Sequence, residues 1–276
     1  MAVPGLTRYV SNGVTLLGDT ARPGGVTLAF TERTGGCSTG RFSSLNLSLD
    51  CDDDEKSVRA NRERVMGAIG AGADAGRLVS PRQVHGDRLV VVDDGSDEAV
   101  ARLAADAREG ADGVVCCVPG VPVLLCYADC VPVVLVQHGA FAVVHSGWRG
   151  TRARIAAKAL SALCELTGLP ASSATAYVGP HIEAADYEVS VDLAREFAGE
   201  FGDGALLGRR NLDLSFCITS ALVEAGMSAS AIASCGVSTP HATDRFYSYR
   251  ASRGACGRHG AVAYIPRDTS ESGGAA

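Results

Sequence analysis

The middle third of the chain is a succession of short apolar segments, and this succession constrains the fold more than any other feature. Between residues 113 and 145, four segments rich in valine follow one another, separated by turn residues such as Gly120 and Gly139. Such segments predict β-strands, and the short connections favour antiparallel neighbours over crossovers through helices. Because several segments are apolar at every position, other layers must cover both faces of the sheet. The predicted strands cover residues 26–30, 78–84, 88–92, 113–117, 121–127, 131–137 and 141–145.

Helices are predicted on both sides of this strand-rich centre. They cover residues 53–69, 151–167, 191–201 and 214–225. Ser190 and Asp213 are N-cap residues for two of them, and Gly168 and Gly226 follow the ends of two. Central strands with helices outside define an α+β layered sandwich. Because no linker interrupts the pattern, we expect one domain over residues 1–266, followed by a disordered polar tail over residues 267–276.

The charge distribution argues against several classes of partner. The chain of 276 residues has a formal net charge of −6 at pH 7, and Lys56 and Lys158 are its only lysines. Without a basic face, we expect it to bind neither nucleic acid nor a membrane. The first twenty residues lack the pattern of a signal peptide, so we expect a cytoplasmic protein with ten reduced cysteines. No amphipathic interface helix indicates an oligomeric state.

The predicted helix over residues 53–69 carries polar groups on its apolar face. Val58 and Val65 define that face, and Asn61 and Arg62 lie between them. Burying a charged group costs free energy unless the group is paired. Two interpretations are open: Arg62 forms a half-buried ion pair, or its guanidinium contacts an anionic ligand.

Three reactive side chains lie at or near the ends of predicted strands, where they could meet at one end of a sheet. His85 lies in QVHG, Cys130 in YADCVP and His145 in VHSGWRG. Two imidazoles and one thiolate, with a fourth position left for water, are the ligands of a catalytic rather than a structural zinc site. The same atoms fit a cysteine hydrolase in which Cys130 is the nucleophile and His145 its base. In a third interpretation His85 caps a turn, His145 bonds to a buried carbonyl and Cys130 packs in the core.

Arginines in glycine-rich or aromatic surroundings are candidates for binding anions. Arg149 lies in GWRG, and Arg245 and Arg250 lie in DRFYSYR. A guanidinium group suits phosphate or carboxylate recognition, although each of these arginines could equally form a salt bridge. The glycine-rich segments TERTGG and CSTGRFSS lack the spacing of a nucleotide P-loop.

Eight segments in chain order resemble one protein family. They read TERTGGCSTGRFSSLNL, DDDEKSVRANRERV, RQVHG, EGADGVV, YADCVPV, VHSGWRGT, YVGPHIEAADYEV and DRFYSYRASRGACGR. This set resembles the bacterial purine nucleoside phosphorylases formerly called laccase-domain or polyphenol oxidase proteins, a family that includes the peptidoglycan editing factor and the human laccase-domain-containing protein. The resemblance covers residues 26–266, and QVHG, ADC and H-[AS]-GWRG are its most specific motifs.

The resemblance implies a fold and a metal. The fold is a single-domain four-layer α/β/β/α sandwich with a central mixed β-sheet core, similar to a bacterial toxin with a cysteine-hydrolase site. The metal is zinc, held by the histidine of QVHG, the cysteine of ADC and the histidine of H-x-GWRG. These are His85, Cys130 and His145 here, the three residues singled out above on chemical grounds, and they are also the predicted catalytic residues.

The resemblance also implies substrates. The family's activities are phosphorolysis of adenosine, inosine and methylthioadenosine to the base and the sugar 1-phosphate, with deamination of adenosine at the same site. Purine nucleosides and phosphate are therefore the expected small-molecule partners. The family's SLN and NR motifs lie near its pocket and match Ser44, Asn46, Asn61 and Arg62. With Arg149 these are the predicted substrate-binding residues, and Arg62 and Arg149 are the candidates for holding phosphate as forked donors.

Two rival functions are open. A peptidoglycan-precursor editing amidohydrolase would use Cys130 as nucleophile or the zinc as activator of water. A copper-dependent polyphenol oxidase would hold copper in the same site, because thiolate and imidazole also bind copper. However, the sequence has neither the His-x-His nor the His-Cys-His ligands of a multicopper oxidase. Deamination also requires a general acid or base, for which Asp129 and Glu188 are candidates.

The sequence departs from the family pattern at three places. Ser146 replaces the usual alanine of the histidine motif, and both are small. Ser238 stands where the family has cysteine, so any role of that cysteine is lost. Ala255 and Cys256 replace a Thr-Gly pair, and we expect the backbone of this last loop to differ.

Overall fold

Two β-sheets pack face to face at the centre of the protein. The structure is a computed structural model that describes residues 4–267; the predicted tail from residue 268 onward lies outside the described residues. The strands are β1 (Thr7–Ser11), β2 (Val14–Gly18), β3 (Thr27–Thr31), β4 (Leu89–Val92), β5 (Gly113–Cys116), β6 (Val123–Tyr127), β7 (Val131–Gln137), β8 (Ala140–Ser146), β9 (Thr175–Val178), β10 (Leu206–Leu207), β11 (Asn211–Leu212), β12 (Ile232–Ser234) and β13 (His259–Tyr264). The helices are α1 (Glu55–Ala68), α2 (Asp97–Glu109), α3 (Trp148–Arg152), α4 (Ile155–Thr167), α5 (Val191–Phe201) and α6 (Leu214–Glu224). None of these helices combines the length and the apolar character needed to cross a membrane.

The two sheets differ in strand direction. The first has five antiparallel strands in the order β1-β2-β3-β13-β6. The second has six strands in the order β12-β9-β7-β8-β5-β4, antiparallel except for the pairs β12–β9 and β4–β5. The predicted single α+β domain with a mixed central sheet is therefore confirmed. Strand β6 joins the five-stranded sheet, so it does not pair with β5 or β7 as the short connections suggested.

Alternating side chains on the strands build three apolar layers. Leu28 and Phe30 of β3 and Val134 of β7 pack between the two sheets. Ala29 points the opposite way and packs with α1 outside the five-stranded sheet, whereas Val133 packs with α4 and α6 outside the six-stranded sheet. Because successive side chains of a strand alternate between its faces, each strand contributes to two layers. The resulting order is helix, sheet, sheet, helix, as the family resemblance implied; the likeness to a toxin fold stays a prediction.

The predicted strand over residues 78–84 is wrong. Only Val79 in this segment pairs with a strand. Pro81 has no N–H group to continue a ladder, and the main chain of Arg82 bonds instead to the C-terminal end of α2. The side chain of Gln83 replaces main-chain pairing, because its amide donates to the Cys126 carbonyl at 2.7 Å and accepts from the Cys126 N–H at 2.8 Å.

The predicted helices are present, with one interruption. Helix α1 begins after Asp54, whose carboxylate accepts the N–H of Ser57 at 2.9 Å. The predicted helix over residues 151–167 is divided into α3 and α4 at Arg154, whose φ of 58° lies in the left-handed region. Helix α2 and the strands β1, β2 and β9 to β13 were not predicted from the sequence.

Removing a large side chain from the layer between the sheets should destabilise the protein strongly. Leu125 of β6 is fully buried there, and a Leu→Ala change in a core costs about 2–5 kcal/mol through lost burial and the cavity left behind. We expect the free energy of unfolding of Leu125→Ala, measured by chemical denaturation, to fall by that amount. Leu207→Ala is the matched control, because Leu207 is 58% exposed. Equal losses in the two variants would contradict the assigned layers.

Candidate metal centre

Strand register brings Cys130 and His145 together. The main chain leaves β6 in one sheet and enters β7 in the other through Ala128, Asp129 and Cys130. At this crossover Asp129 has a φ of 89°, a conformation that costs free energy in a non-glycine residue and persists where the surroundings enforce it. In the β7–β8 ladder Pro132 pairs with His145, so the end of β8 lies beside the residue that precedes β7.

His85 reaches the same place from a loop. It also has a left-handed backbone, with a φ of 60°. The carboxylate of Asp112 accepts the main-chain N–H groups of Val84, His85 and Gly86 at 3.3, 2.9 and 2.7 Å. Because Asp112 is fully buried and directly precedes β5, it ties this loop to the six-stranded sheet.

The three predicted ligands converge. One ligand atom from each of His85, Cys130 and His145 lies within 4.8 Å of the others, and the two imidazole rings meet edge to face at 4.9 Å between centroids. A β-carbon at Gly147 would lie 3.1 Å from the Cys130 sulfur and 3.3 Å from the His85 ring, so a larger residue here would press on two of the three ligands. The donor set of two imidazoles and one thiolate fits a zinc ion with one position left open.

Asp112 also orients His145. Its Oδ1 lies 2.8 Å from Nδ1 of His145. Because an ionised carboxylate can only accept a hydrogen bond, Nδ1 carries the proton and Nε2 is left free for a metal. Burial alone would raise the pKa of Asp112, but the hydrogen bonds from His145 and from the loop of residues 84–86 lower it. Carboxylate–histidine pairs of this kind orient metal ligands in many proteins.

Cys130 is placed in surroundings that favour its thiolate. Burial opposes ionisation, but the neighbouring His145 and His85 outweigh it and lower the pKa of the thiol to about 6. Burial likewise opposes a charge on His145, whereas the Cys130 thiolate and Asp112 raise its pKa to about 9. The thiolate is the form of cysteine that binds a metal or attacks an electrophile.

A cavity of about 490 Å³ opens onto this cluster. Besides the cluster itself, aromatic and charged side chains line it, among them Tyr187, Tyr249, Arg250 and Arg258. Its volume lies in the range of sites that bind small organic ligands, roughly 300–1,000 Å³. The three reactive side chains therefore face a space large enough for a small-molecule substrate.

The predicted substrate-binding residues Ser44, Asn46 and Asn61 are not among the residues that line the cavity. Asn46 and Asn61 are fully buried. The Asn61 amide donates to the carbonyls of Asn46 and Ser44 at 2.9 and 3.2 Å and accepts from the Cys37 N–H at 2.8 Å. Asn46 Oδ1 accepts the main-chain N–H of Arg258 at 2.8 Å. Of the three, Asn46 bonds to residues that line the cavity, Ser48 and Arg258. Direct contact of Ser44, Asn46 or Asn61 with a substrate stays a prediction.

The predicted phosphate ligands Arg62 and Arg149 are not among the residues that line the cavity. Arg62 Nε donates to the Leu47 carbonyl at 2.7 Å, so its hydrogen-bond partner is the main chain rather than a carboxylate. Burial lowers the pKa of Arg62. Arg149 is exposed, with its guanidinium 4.3 Å from the centroid of a Trp148 ring. A phosphate-binding role for either arginine stays a prediction.

Three other sequence features have structural roles. Arg245 donates to the buried carboxylate of Glu32 at 2.8 Å, which is the salt bridge considered above. Ser238 donates to Asp186 at 2.5 Å. Cys256, which replaces a glycine of the family pattern, is buried and packs in a small apolar cluster.

The two candidates for a general acid or base already have partners. Asp129 accepts the Thr239 hydroxyl at 2.6 Å and the main-chain N–H of Arg250 at 2.7 Å. It lines the cavity, and each of its two oxygens keeps a lone pair for a further hydrogen bond. Glu188 is half exposed and forms a salt bridge with Arg210.

The sequence analysis missed Asp112 and Arg258, although both lie in segments that carry the family resemblance. Asp112 belongs to EGADGVV and Arg258 to ACGR. The available signal for Asp112 was an acidic residue directly before an apolar strand, because a buried carboxylate needs hydrogen-bond donors. No local signal distinguished Arg258 from the other arginines.

The family is defined by the comparison of the chain with known proteins. The family model described as multi-copper polyphenol oxidoreductase laccase matches residues 27–266, and the chain belongs to this family. A purine nucleoside phosphorylase of Deinococcus radiodurans is 35% identical over 251 residues, which are 89% of this chain and 91% of the relative. Adenosine deaminase RL5, from an unknown prokaryotic organism, is 33% identical over 204 residues, covering 69% of this chain and 75% of the relative.

A solved structure supports the fold independently of the names. The hypothetical protein YfiH of Bacillus licheniformis matches with a TM-score of 0.81 and 29% identity, covering 91% of this chain and 96% of that chain. The sequence, the fold and the site therefore define the chain as an enzyme of this family.

Replacing the carboxylate that orients the ligands should weaken metal binding. In Asp112→Asn one carboxylate oxygen becomes an NH₂ group, which cannot accept a hydrogen bond. This NH₂ group faces either two main-chain N–H donors or the His145 side of the site, so part of the hydrogen-bond network around Asp112 is lost. Changes of this kind cost about 10–100-fold in metal affinity, which a competition titration with a chromophoric chelator measures. Asp192→Asn is the matched control, because its side chain is 87% exposed. A metal affinity within twofold of the wild type would contradict this prediction and would show that Asp112 contributes to folding but not to metal binding.

Proposed function

We propose that the protein is a metal-dependent purine nucleoside phosphorylase that also deaminates adenosine. The observation that carries the proposal is the convergence of His85, Cys130 and His145 on the wall of a cavity of about 490 Å³. The relatives named purine nucleoside phosphorylase and adenosine deaminase support the choice of substrate. We expect the protein to act in the cytoplasm on free nucleosides.

The residues of the cluster suit zinc. Cys130 as thiolate and the two histidines as neutral imidazoles would hold the ion, with Asp112 fixing the tautomer of His145. A divalent ion in this position would supply a Lewis acid and activate water at the cavity wall. Copper would bind the same ligands, and elemental analysis of the purified protein distinguishes the two metals.

The cavity walls suit a purine nucleoside. The aromatic rings of Tyr187 and Tyr249 line the cavity, and a purine base could pack against them, because aromatic rings attract one another. Asp129, Gln83 and Ser48 supply polar groups that could bond to the sugar hydroxyls. The cavity therefore offers a nucleoside both aromatic rings and polar groups.

The two reactions make different demands on this site. In phosphorolysis a phosphate oxygen forms a bond to C1′ while the bond from C1′ to the purine nitrogen breaks, and the departing base takes up a proton. In deamination water adds at C6 of adenine and ammonia leaves, so the product is inosine. Phosphorolysis therefore requires inorganic phosphate, whereas deamination requires only water.

This difference defines the test of the proposed function. Adenosine is incubated with the zinc-loaded protein, with and without phosphate, and the purines are separated by chromatography. We expect adenine only when phosphate is present, and inosine in both conditions. Neither product in either condition would contradict the proposed function.

A variant of the central ligand links both activities to the metal. We expect Cys130→Ser to lose stoichiometric zinc and at least about 100-fold in both activities, because the thiolate is the only anionic ligand of the site. Cys164→Ser is the matched control, since Cys164 lies in α4 on the outer face of the six-stranded sheet. Zinc content by elemental analysis and rates by chromatography are the measurements. Normal turnover of adenosine by a zinc-free Cys130→Ser protein would refute the role of the metal.

A second function is favoured by one observation, the sequence of contacts Cys130–His145–Asp112. These residues have the thiolate, imidazole and carboxylate of a cysteine hydrolase, which fits the editing of a serine-containing peptidoglycan precursor by amide hydrolysis. Such an enzyme would form a thioester on Cys130 and would keep its activity after removal of metal by a chelator. Hydrolysis of serine-containing muropeptides by the chelated protein, with no nucleoside turnover by the zinc form, would replace the proposed function.

Oxidation of phenols by several coppers is less well supported. Within residues 4–267 the cluster of His85, Cys130 and His145 is the one group of three or more His, Cys, Asp or Glu side chains close enough to hold a metal. A multicopper oxidase needs several copper ions. Elemental analysis that finds three or four coppers per chain, with strong phenol oxidation, would reverse this judgement.

A further inference from the structure

Two arginine side chains line the cavity without a carboxylate partner within residues 4–267. Its two lining aspartates are already bonded, Asp50 to both terminal nitrogens of Arg108 at 2.7 and 3.1 Å and Asp129 to the groups described above. The lining arginines Arg250 and Arg258 form no salt bridge among the described residues, and their side chains donate to main-chain carbonyls. These two guanidinium groups are therefore available to bind an anion.

Arg258 is the better placed of the two arginines. One terminal nitrogen, Nη1, donates to the carbonyls of Cys256 and Gly257 at 2.8 and 2.9 Å. Nε and the other terminal nitrogen, Nη2, have no acceptor within residues 4–267. These two nitrogens form one edge of the guanidinium plane, the edge that binds phosphate or carboxylate with two parallel hydrogen bonds.

The backbone of Arg258 is held tightly. Its N–H donates to Asn46 Oδ1 at 2.8 Å, and its carbonyl accepts the N–H of Leu47 at 3.0 Å. A β-carbon at Gly257 would lie 2.9 Å from both Asn46 and Tyr247, so the loop packs closely against the SLN segment. Asn46 therefore acts on the cavity through Arg258, as a positioning residue.

Arg258 also stands between two spaces. A second hollow of about 420 Å³ shares Asp50, Cys51, Tyr249 and Arg258 with the main cavity. Arg253 lines this hollow as well. An anion at Arg258 could therefore be a free ion in the main cavity, or a group attached to a substrate that extends into the second hollow.

We propose that Arg258, rather than Arg62 or Arg149, binds the phosphate group used at this site. The proposal rests on the proposed function where the phosphate is the inorganic co-substrate of phosphorolysis. The same fork would bind the 5′-phosphate of a nucleotide. The two sources share the chemistry of a phosphate dianion, and the experiment separates them.

The test compares phosphate with nucleoside as the variable substrate. In Arg258→Gln we expect KM for inorganic phosphate to rise roughly 10- to 100-fold, as loss of hydrogen bonds to a charged group implies. KM for adenosine and the phosphate-independent deamination rate should change less than about threefold. Arg258→Lys keeps the positive charge but loses the forked pair of donors. Its KM for inorganic phosphate should lie between those of the wild type and Arg258→Gln. Arg195→Gln, whose side chain is 77% exposed, is the control, and thermal melting checks the folding of every variant.

Direct binding makes the test independent of turnover. Inorganic phosphate and adenosine 5′-monophosphate are titrated calorimetrically into the zinc-loaded wild type and the variants. Weaker binding of either ligand to Arg258→Gln supports the proposal and identifies the source of the phosphate. Equal binding of both ligands to wild type and Arg258→Gln would overturn it, as would a larger loss in Arg62→Gln or Arg149→Gln. Absence of all nucleoside turnover by the wild type would refute the proposed function without touching this comparison.

Discussion

The candidate site depends on one buried carboxylate. Asp112 accepts four hydrogen bonds, three from the main chain of residues 84–86 and one from His145. Taking an unpaired carboxylate out of water costs several kcal/mol, and hydrogen bonds to a charged group return about 1.5–3 kcal/mol each. The fold can therefore bury Asp112 only if the loop and the histidine are both in place. One residue thus couples the position of His85 to the orientation of His145.

The second constraint is the crossover between the sheets. Strand β6 belongs to one sheet and β7 to the other, and the three residues between them carry the chain across. Cys130 is the last of these residues, so it lies where the two sheets meet and where β8 ends. The cavity forms at this junction because loops from both sheets surround it. Loops from both sheets can supply residues to such a site, and the apolar layer between the sheets stays packed.

Much of this arrangement could be predicted from the sequence. The strands of the middle third are apolar enough to be recognised, and β7 occupies the predicted residues 131–137. Chemistry alone brought His85, Cys130 and His145 together as candidates, since few other residue types act as soft metal ligands. Helix α2 has only a weak signal in the sequence. Alanine and charged residues dominate it, and its apolar stripe consists only of Val100, Leu103 and Ala107.

The remainder depends on contacts between distant parts of the chain. Pro81 and the side chain of Gln83 turn an apparent strand into an irregular segment that pairs through an amide. Asn46 and Asn61 are predicted from the sequence to bind substrate, and the structure adds that both are buried, that Asn61 bonds to the Asn46 carbonyl and that Asn46 bonds to the main chain of Arg258. The sequence does not reveal the free edge of the Arg258 guanidinium, because the groups that bond to its other nitrogen are main-chain carbonyls.

The proposed chemistry requires a metal bound by Cys130 and the two histidines. Replacing the metal by cobalt(II) tests the ligands directly, because a cobalt–thiolate bond has a charge-transfer absorption in the near ultraviolet and tetrahedral cobalt absorbs intensely in the visible. We expect both absorptions at one equivalent of cobalt per chain, with loss of the thiolate band when Cys130 is replaced by serine. Stoichiometric cobalt without a thiolate band, or an unchanged band in the serine variant, would contradict it.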